Sequence, residues 1–171
     1  DRPKLVVGMA SCGIAAGAGE IYEQLAEAIP HREGDVELTR TGCLGFCQQE
    51  PLVDIALPDG PRVVYGGVDE QRAFELLESA EAGEAPSKGA LAWIDQSASE
   101  LVGGQVPSEG TGPDGLQHIT ELPFYALQQR VALRNCGLLD PENISEYASR
   151  GGYAALAQAL SELSPQDVID R

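Results

Sequence analysis

Arg40-Thr41-Gly42-Cys43-Leu44-Gly45-Phe46-Cys47-Gln48-Gln49-Glu50-Pro51-Leu52-Val53-Asp54-Ile55-Ala56 is the stretch from which the rest of the chain can be read. Cys43 and Cys47 stand four apart on a loop that opens at Gly42, is loosened again at Gly45, and runs through Pro51 into an apolar strand. Small residues let backbone N–H groups turn toward sulfur, so this is how a metal-facing loop is built. A C-x3-C spacing alone carries little. It gains weight from Cys12, in Met9-Ala10-Ser11-Cys12-Gly13 at the end of another apolar run, because two loops at strand ends can bring three thiols together.

Working outward, the bounds are those of one moderate core, or of a small domain with an appendage: 171 residues, of which 43% are hydrophobic. Acidic side chains number 27 against 11 basic ones, for a formal net charge of -16, and Lys4 and Lys88 are the only lysines. Such a surface repels phosphate backbones and anionic headgroups, which argues against nucleic acid and membrane surfaces as partners. It suits a basic partner or a salt-rich cytoplasm. No apolar run approaches the roughly 20 residues that span a bilayer, and the first residues lack the pattern of an export signal. A cytoplasmic location is therefore expected, and in a reducing compartment the four cysteines read as metal ligands, catalytic thiols or buried residues.

Lys4 to Ala10 reads as a buried strand and Ile14 to Ile29 as a helix, with Ile21, Leu25, Ala28 and Ile29 on one face and Pro30 as its stop. Val36 to Arg40 alternates as a strand. Leu52 to Leu57 and Arg62 to Tyr65 flank Pro58-Asp59-Gly60-Pro61, the signature of a β-hairpin. Val68 to Ala80 is amphipathic. The order β-α-β-β-β-α predicts an α/β fold, one mixed sheet flanked by two helices.

From Glu81 to about Leu122 Gly and Pro punctuate the chain, and only Ala90 to Ile94 and Glu100 to Val102 look able to pack. The region reads as a long linker, residues 83–122, with Trp93 as an anchor for the crossing. Order returns over 123–171. Asp140 followed by Pro141 predicts a helix start, Gly151-Gly152 its end, Tyr153 to Leu163 a second helix with Tyr147 and Tyr153 bridging the two, and Ser164-Pro165 the start of a third.

Cys12-Gly13, the run Thr41 to Cys47 and Pro51-Leu52-Val53 resemble the thioredoxin-like [2Fe-2S] ferredoxin domain in the small subunit of respiratory complex I. Gln128 to Gly137, Asp140-Pro141-Glu142 and Tyr147 to Leu156 resemble the opening of the flavin-bearing, NADH-oxidising subunit of that enzyme. Both parts occur in one chain in electron-bifurcating hydrogenases and NAD-linked formate dehydrogenases. The resemblance implies a thioredoxin-like ferredoxin domain over 1–82 and the leading helices of the flavin subunit over 123–171. It implies a [2Fe-2S] cluster, other subunits of a redox complex as partners, and electron transfer between a flavin and a partner's iron–sulfur chain. FMN, NAD and a [4Fe-4S] cluster are expected only in a C-terminal part beyond residue 171, because no G-x-G-x-x-G loop is present here.

One departure matters. The family offers a C-x4-C pair before its first helix, and here only Cys12 is present; the position of the other is Val7, which cannot ligate iron. Cys12, Cys43 and Cys47 are the expected ligands, with Ser11 and Cys136 as weak candidates for the fourth place; His31 and His118 are remote in sequence. A clusterless thioredoxin-like module that docks a neighbouring subunit is the alternative. Zinc needs four ligands too, and thiol exchange expects a C-x-x-C that is absent.

Overall fold

The computed structural model describes residues 2–95 and 112–171. Its sheet has five strands, β1 (Lys4–Gly8), β2 (Glu37–Thr41), β3 (Val53–Ala56), β4 (Arg62–Tyr65) and β5 (Ala90–Ile94), in the order β2-β1-β3-β4-β5. β1 runs parallel to β2 and antiparallel to β3; β3–β4 and β4–β5 are antiparallel. A parallel pair needs a crossover, and residues between β1 and β2 supply it as α1 (Ser11–Ala15) and α2 (Ala18–Ala28). The β3–β4 hairpin and α3 (Glu70–Glu81) follow, giving the mixed thioredoxin-like sheet with flanking helices.

The two faces of the sheet are covered differently. Leu5, Val7, Val53, Ile55, Val63 and Tyr65 meet Ile21 and Leu25 of α2 and Leu76 and Leu77 of α3 in one core. Alternation along the strands sends Leu52 and Val64 to the other side, where Leu44, Phe46, Ile119 and Tyr125 close over them. This second face is thus sealed by the cysteine loop itself and by a segment nearly eighty residues further on. A buried ion pair also lies on the sheet: the Arg62 guanidinium donates from Nε to Asp54 Oδ2 at 2.7 Å, with a second contact from Nη2 to the same oxygen.

Three expectations are revised. The helix expected over 14–29 is broken: Gly17, with φ +103, ends α1 and caps the start of α2, a conformation only glycine adopts without strain. Ala90–Ile94, expected within a linker over 83–122, pairs with β4 as the fifth strand, so the sheet reaches past residue 82; Trp93 is buried on it. Glu100 to Val102 lies outside the described residues. The helix expected to start at Asp140 starts later, as α5 (Ile144–Ser149), because the Asn143 side chain caps Ser145 and Glu146 while Asp140 turns back onto the Glu142 N–H.

The short α4 (Pro123–Ala126) precedes α5, and α6 (Ala154–Glu162) and α7 (Pro165–Asp170) end the chain. Thr41 donates to the Leu139 carbonyl at 2.7 Å, and Lys4 pairs with Glu146 at 3.2 Å, so the chain up to α5 is tied to β1 and β2. Tyr147 and Tyr153 meet edge-on at 5.2 Å, as expected. Beyond them Leu156, Leu160, Val168 and Ile169 are exposed. Among the described residues no helix is long and apolar enough to cross a membrane.

Removing one partner of a buried ion pair strands the other. Arg62→Met should cost about 3–5 kcal/mol in urea unfolding, and the double variant Asp54→Leu/Arg62→Met should recover most of it. A double variant no more stable than Arg62→Met would show that the loss is one of packing. His118 offers a second check. It is buried against Trp93, its Nδ1 held by the Thr120 N–H and hydroxyl, while its Nε2 has no hydrogen-bond partner among the described residues. Burial lowers its pKa below the ordinary 6.5, against the smaller opposing pull of Glu121 and Asp95. The unfolded chain therefore takes up the proton first, so this contribution to stability is complete above about pH 6.5 and is lost as the pH falls below it. His118→Asn should flatten that part of the stability profile; an unchanged slope would refute the assignment.

Candidate metal centre

The sequence brings Cys12 into play through β1, which ends at Gly8 and hands the chain to α1, where Cys12 sits in the first turn. Cys43 and Cys47 leave β2 on the adjacent loop, since β1 and β2 are parallel and end at the same edge. The three Sγ atoms lie within 4.8 Å of one another. Cys43 and Cys47 are 3.7 Å apart and Cys12 and Cys43 4.0 Å. A tetrahedral ion with metal–sulfur bonds of about 2.3 Å holds two thiolates about 3.7–3.8 Å apart, so the donor set fits a thiolate-bound metal without rearrangement of the Cys43–Cys47 pair.

As thiols Cys12 and Cys43 are poor acids. Burial, together with the neighbouring Cys47, Cys43 and Glu50, pushes Cys12 up to about 12. Burial likewise raises Cys43, while the Gly45 N–H, which points at its sulfur, pulls the other way. Gly45 achieves this with φ +99, the reason a glycine is needed there.

The fourth residue at the site is one that motif spacing gave no reason to select. Glu50 reaches back so that its Oε1 lies 3.5 Å from Cys12 Sγ and its Oε2 accepts from the Leu52 N–H at 2.8 Å. Burial raises its pKa, and that hydrogen bond offsets part of the rise. Gly13 makes room for it: a Cβ there would stand 3.1 Å from Oε2 and 2.2 Å from the Gly8 carbonyl. Of the weaker candidates, Ser11 is exposed at the first position of α1. Val7 lies wholly within the core under the helices, so a thiol at that position would be enclosed among apolar side chains.

Cys136 falls within the unit expected over 123–171, yet it lies beside the cysteine loop. Its Sγ would be 3.3 Å from a Cβ on Gly42, one residue from Cys43, although it is outside the group of three. Arg130 brings it there, donating to the carbonyls of Cys43 at 2.8 Å, Leu133 at 2.8 Å and Cys136 at 2.5 Å, and to the Tyr125 hydroxyl at 2.9 Å. Gln128 adds a bond from Nε2 to the Gly45 carbonyl at 2.9 Å, and Phe46 stacks on Tyr125. The cysteine loop is thus clamped from outside by residues 125–137. A charged guanidinium satisfying several carbonyls shows up in sequence only as one arginine among nine, which is why spacing did not single it out.

No family model matches the chain. It is 41% identical over 73 residues to the NADP-reducing hydrogenase subunit HndB of Solidesulfovibrio fructosivorans, covering 42% of this chain and 57% of that protein. It is 46% identical over 43 residues to subunit HndC of the same organism, covering 25% of this chain and 9% of the relative. The chain therefore spans little more than half of the first relative and a small part of the second. Among solved structures, a thioredoxin-like [2Fe-2S] ferredoxin from Aquifex aeolicus matches 56% of this chain and 94% of its own, with 21% identity and a TM-score of 0.47.

The exposure of Cys47 and the raised pKa of Cys12 order the reactivity of the three sulfurs. In metal-free protein at mildly alkaline pH, iodoacetamide should label the exposed Cys47 first and Cys12 last, read by peptide mass mapping. Cys12 reacting first would mean that its thiol is neither shielded nor held protonated as described.

Proposed function

We propose that the chain is an electron-transfer module that holds a [2Fe-2S] cluster on Cys12, Cys43 and Cys47, within a multisubunit nicotinamide-linked oxidoreductase. The observation that carries this reading is the convergence of three thiols from two loops at one edge of the sheet. Similarity to two subunits of an NADP-reducing hydrogenase supports the setting. When bound, the cluster would accept and release one electron at a time.

The chain's own residues supply the rest. The three cysteines give up their protons to solvent and bind as thiolates. Gly45 directs an N–H at the Cys43 sulfur, spreading negative charge into the backbone. Arg130 holds the Cys43 carbonyl and places a positive charge beside an anionic centre. Phe46 and Leu44 anchor the loop in the second core, so the ligand positions are held before metal arrives. Exposure of Cys47 leaves one edge of the centre open to a redox partner. Flavin and nicotinamide chemistry belongs, in this reading, to other parts of the assembly, with the helices beyond residue 140 forming the start of a flavin-bearing unit.

Anaerobic reconstitution with iron and sulfide should give a coloured protein carrying two irons and two sulfides per chain, and Cys43→Ser and Cys47→Ser should each lose most of that iron. Wild-type protein that binds no iron and shows no visible charge-transfer band would overturn the reading in favour of a clusterless module that docks a neighbouring subunit.

A further inference from the structure

We infer that the Glu50 carboxylate is the fourth ligand of the metal centre, in the place where a fourth thiolate is missing. The inference rests on the cluster proposed above and concerns how this chain completes it.

Three observations converge on Glu50. First, its Oε1 lies 3.5 Å from Cys12 Sγ. Tetrahedral bonds of about 2.3 Å to sulfur and about 2.0 Å to oxygen place two such donors about 3.5 Å apart, so Cys12 and Glu50 stand at the separation of two donors to one metal, as Cys43 and Cys47 do at 3.7 Å. Second, the carboxylate is built in. Its Oε2 is fixed by the Leu52 N–H at 2.8 Å, which leaves Oε1 turned to the sulfur. Third, the backbone at Gly13 leaves it space: a Cβ there would stand 2.2 Å from the Gly8 carbonyl and 3.1 Å from Glu50 Oε2, so no side chain fits at that position beside the carboxylate.

The other candidates fail on position. Cys136 packs on Gly42 outside the group of three, Ser11 faces solvent, and Val7 is enclosed in the opposite core. Charge also balances. Three thiolates and one carboxylate carry the same four negative charges as four thiolates, and ferric iron accepts an anionic oxygen donor. On binding, the three thiols release their protons to solvent and Glu50 enters ionised; no oxidant or reductant is consumed in forming the metal–oxygen bond.

The test compares wild type, Glu50→Gln, Glu50→Asp and Glu50→Cys in the full chain after anaerobic reconstitution, with far-UV circular dichroism and a thermal melt to confirm folding. Glu50→Gln is nearly isosteric and can still accept from Leu52, yet offers a neutral oxygen. It should lose iron to a chelator about tenfold faster than wild type, or more. Glu50→Cys should hold iron at least as well as wild type and shift the visible charge-transfer bands and the reduced-state EPR spectrum toward those of an all-thiolate centre. Glu50→Asp, too short to reach, should behave like Glu50→Gln. A purely structural carboxylate would change the melt and leave the spectra alone. Identical spectra and iron retention in wild type, Glu50→Gln and Glu50→Cys would overturn the inference while leaving the three-cysteine cluster standing. Wild type without iron would instead overturn the cluster and Glu50 with it.

Discussion

Three sulfur atoms held within 4.8 Å of one another cannot all be anions unless a cation lies among them. The protein accepts this constraint in a half-buried place, where desolvation adds to the mutual repulsion and drives Cys12 up to about 12. Without a cation Cys12 and Cys43 hold their protons more tightly than free thiols do. A cation reverses the balance, since each thiolate is then stabilised by the charge that its neighbours only oppose. Much of the surrounding structure serves to keep the sulfurs close in spite of their preference to separate.

That work falls on the second face of the sheet. Loops tolerate displacement, and a loop carrying two ligands at its tip would drift if nothing lay over it. Here Leu44 and Phe46 are sunk into a core with Val64, Ile94, Ile119 and Tyr125, so the residues flanking Cys43 and following Gly45 are packed as firmly as strand residues. Arg130 then joins the Cys43 carbonyl of the loop to the Leu133 and Cys136 carbonyls of the segment over it, and Gly137 approaches so closely that a Cβ there would stand 2.5 Å from Leu44 Cδ1. The site is therefore shared between the first half of the chain and residues 119–137. A cut between them would leave the ligands present and their support gone.

The sequence disclosed what depends on local pattern. β1, the hairpin at residues 52–65, α3 and the tail helices follow from runs of apolar residues, a turn with Asp59-Gly60, and caps such as Ser164 before Pro165. The three cysteines followed from their places at strand ends. What stayed hidden depends on contacts between distant segments. β5 sits among Gly89, Lys88 and Pro86, which mark a connection by composition, and only pairing with β4 makes it a strand. Gly17 breaks a helix whose periodicity runs straight through it. Glu50, next to Pro51 in an acidic chain, looks like any solvated carboxylate until the backbone at Gly8 and Gly13 is seen to enclose it. Cys136, some ninety residues from Cys43, shows nothing of its position beside Gly42 until Arg130 is placed.

The tail extends the same logic to assembly. Up to α5 the chain is bound to the sheet by specific links, Thr41 to Leu139, Arg40 to Glu142 and Lys4 to Glu146. Past Tyr153 the links stop among the described residues, yet the helices remain amphipathic, with Leu156 and Leu160 exposed on α6 and Val168 and Ile169 on α7. Short isolated helices gain little from propensity alone and form when an apolar face is covered. The part of the chain that supports the metal loop and the part that exposes apolar side chains are consecutive, joined through the edge-on Tyr147–Tyr153 pair. The segment that holds Leu139 and Glu146 against β1 and β2 is thus continuous with these exposed helices, and β2 is the strand that delivers Cys43.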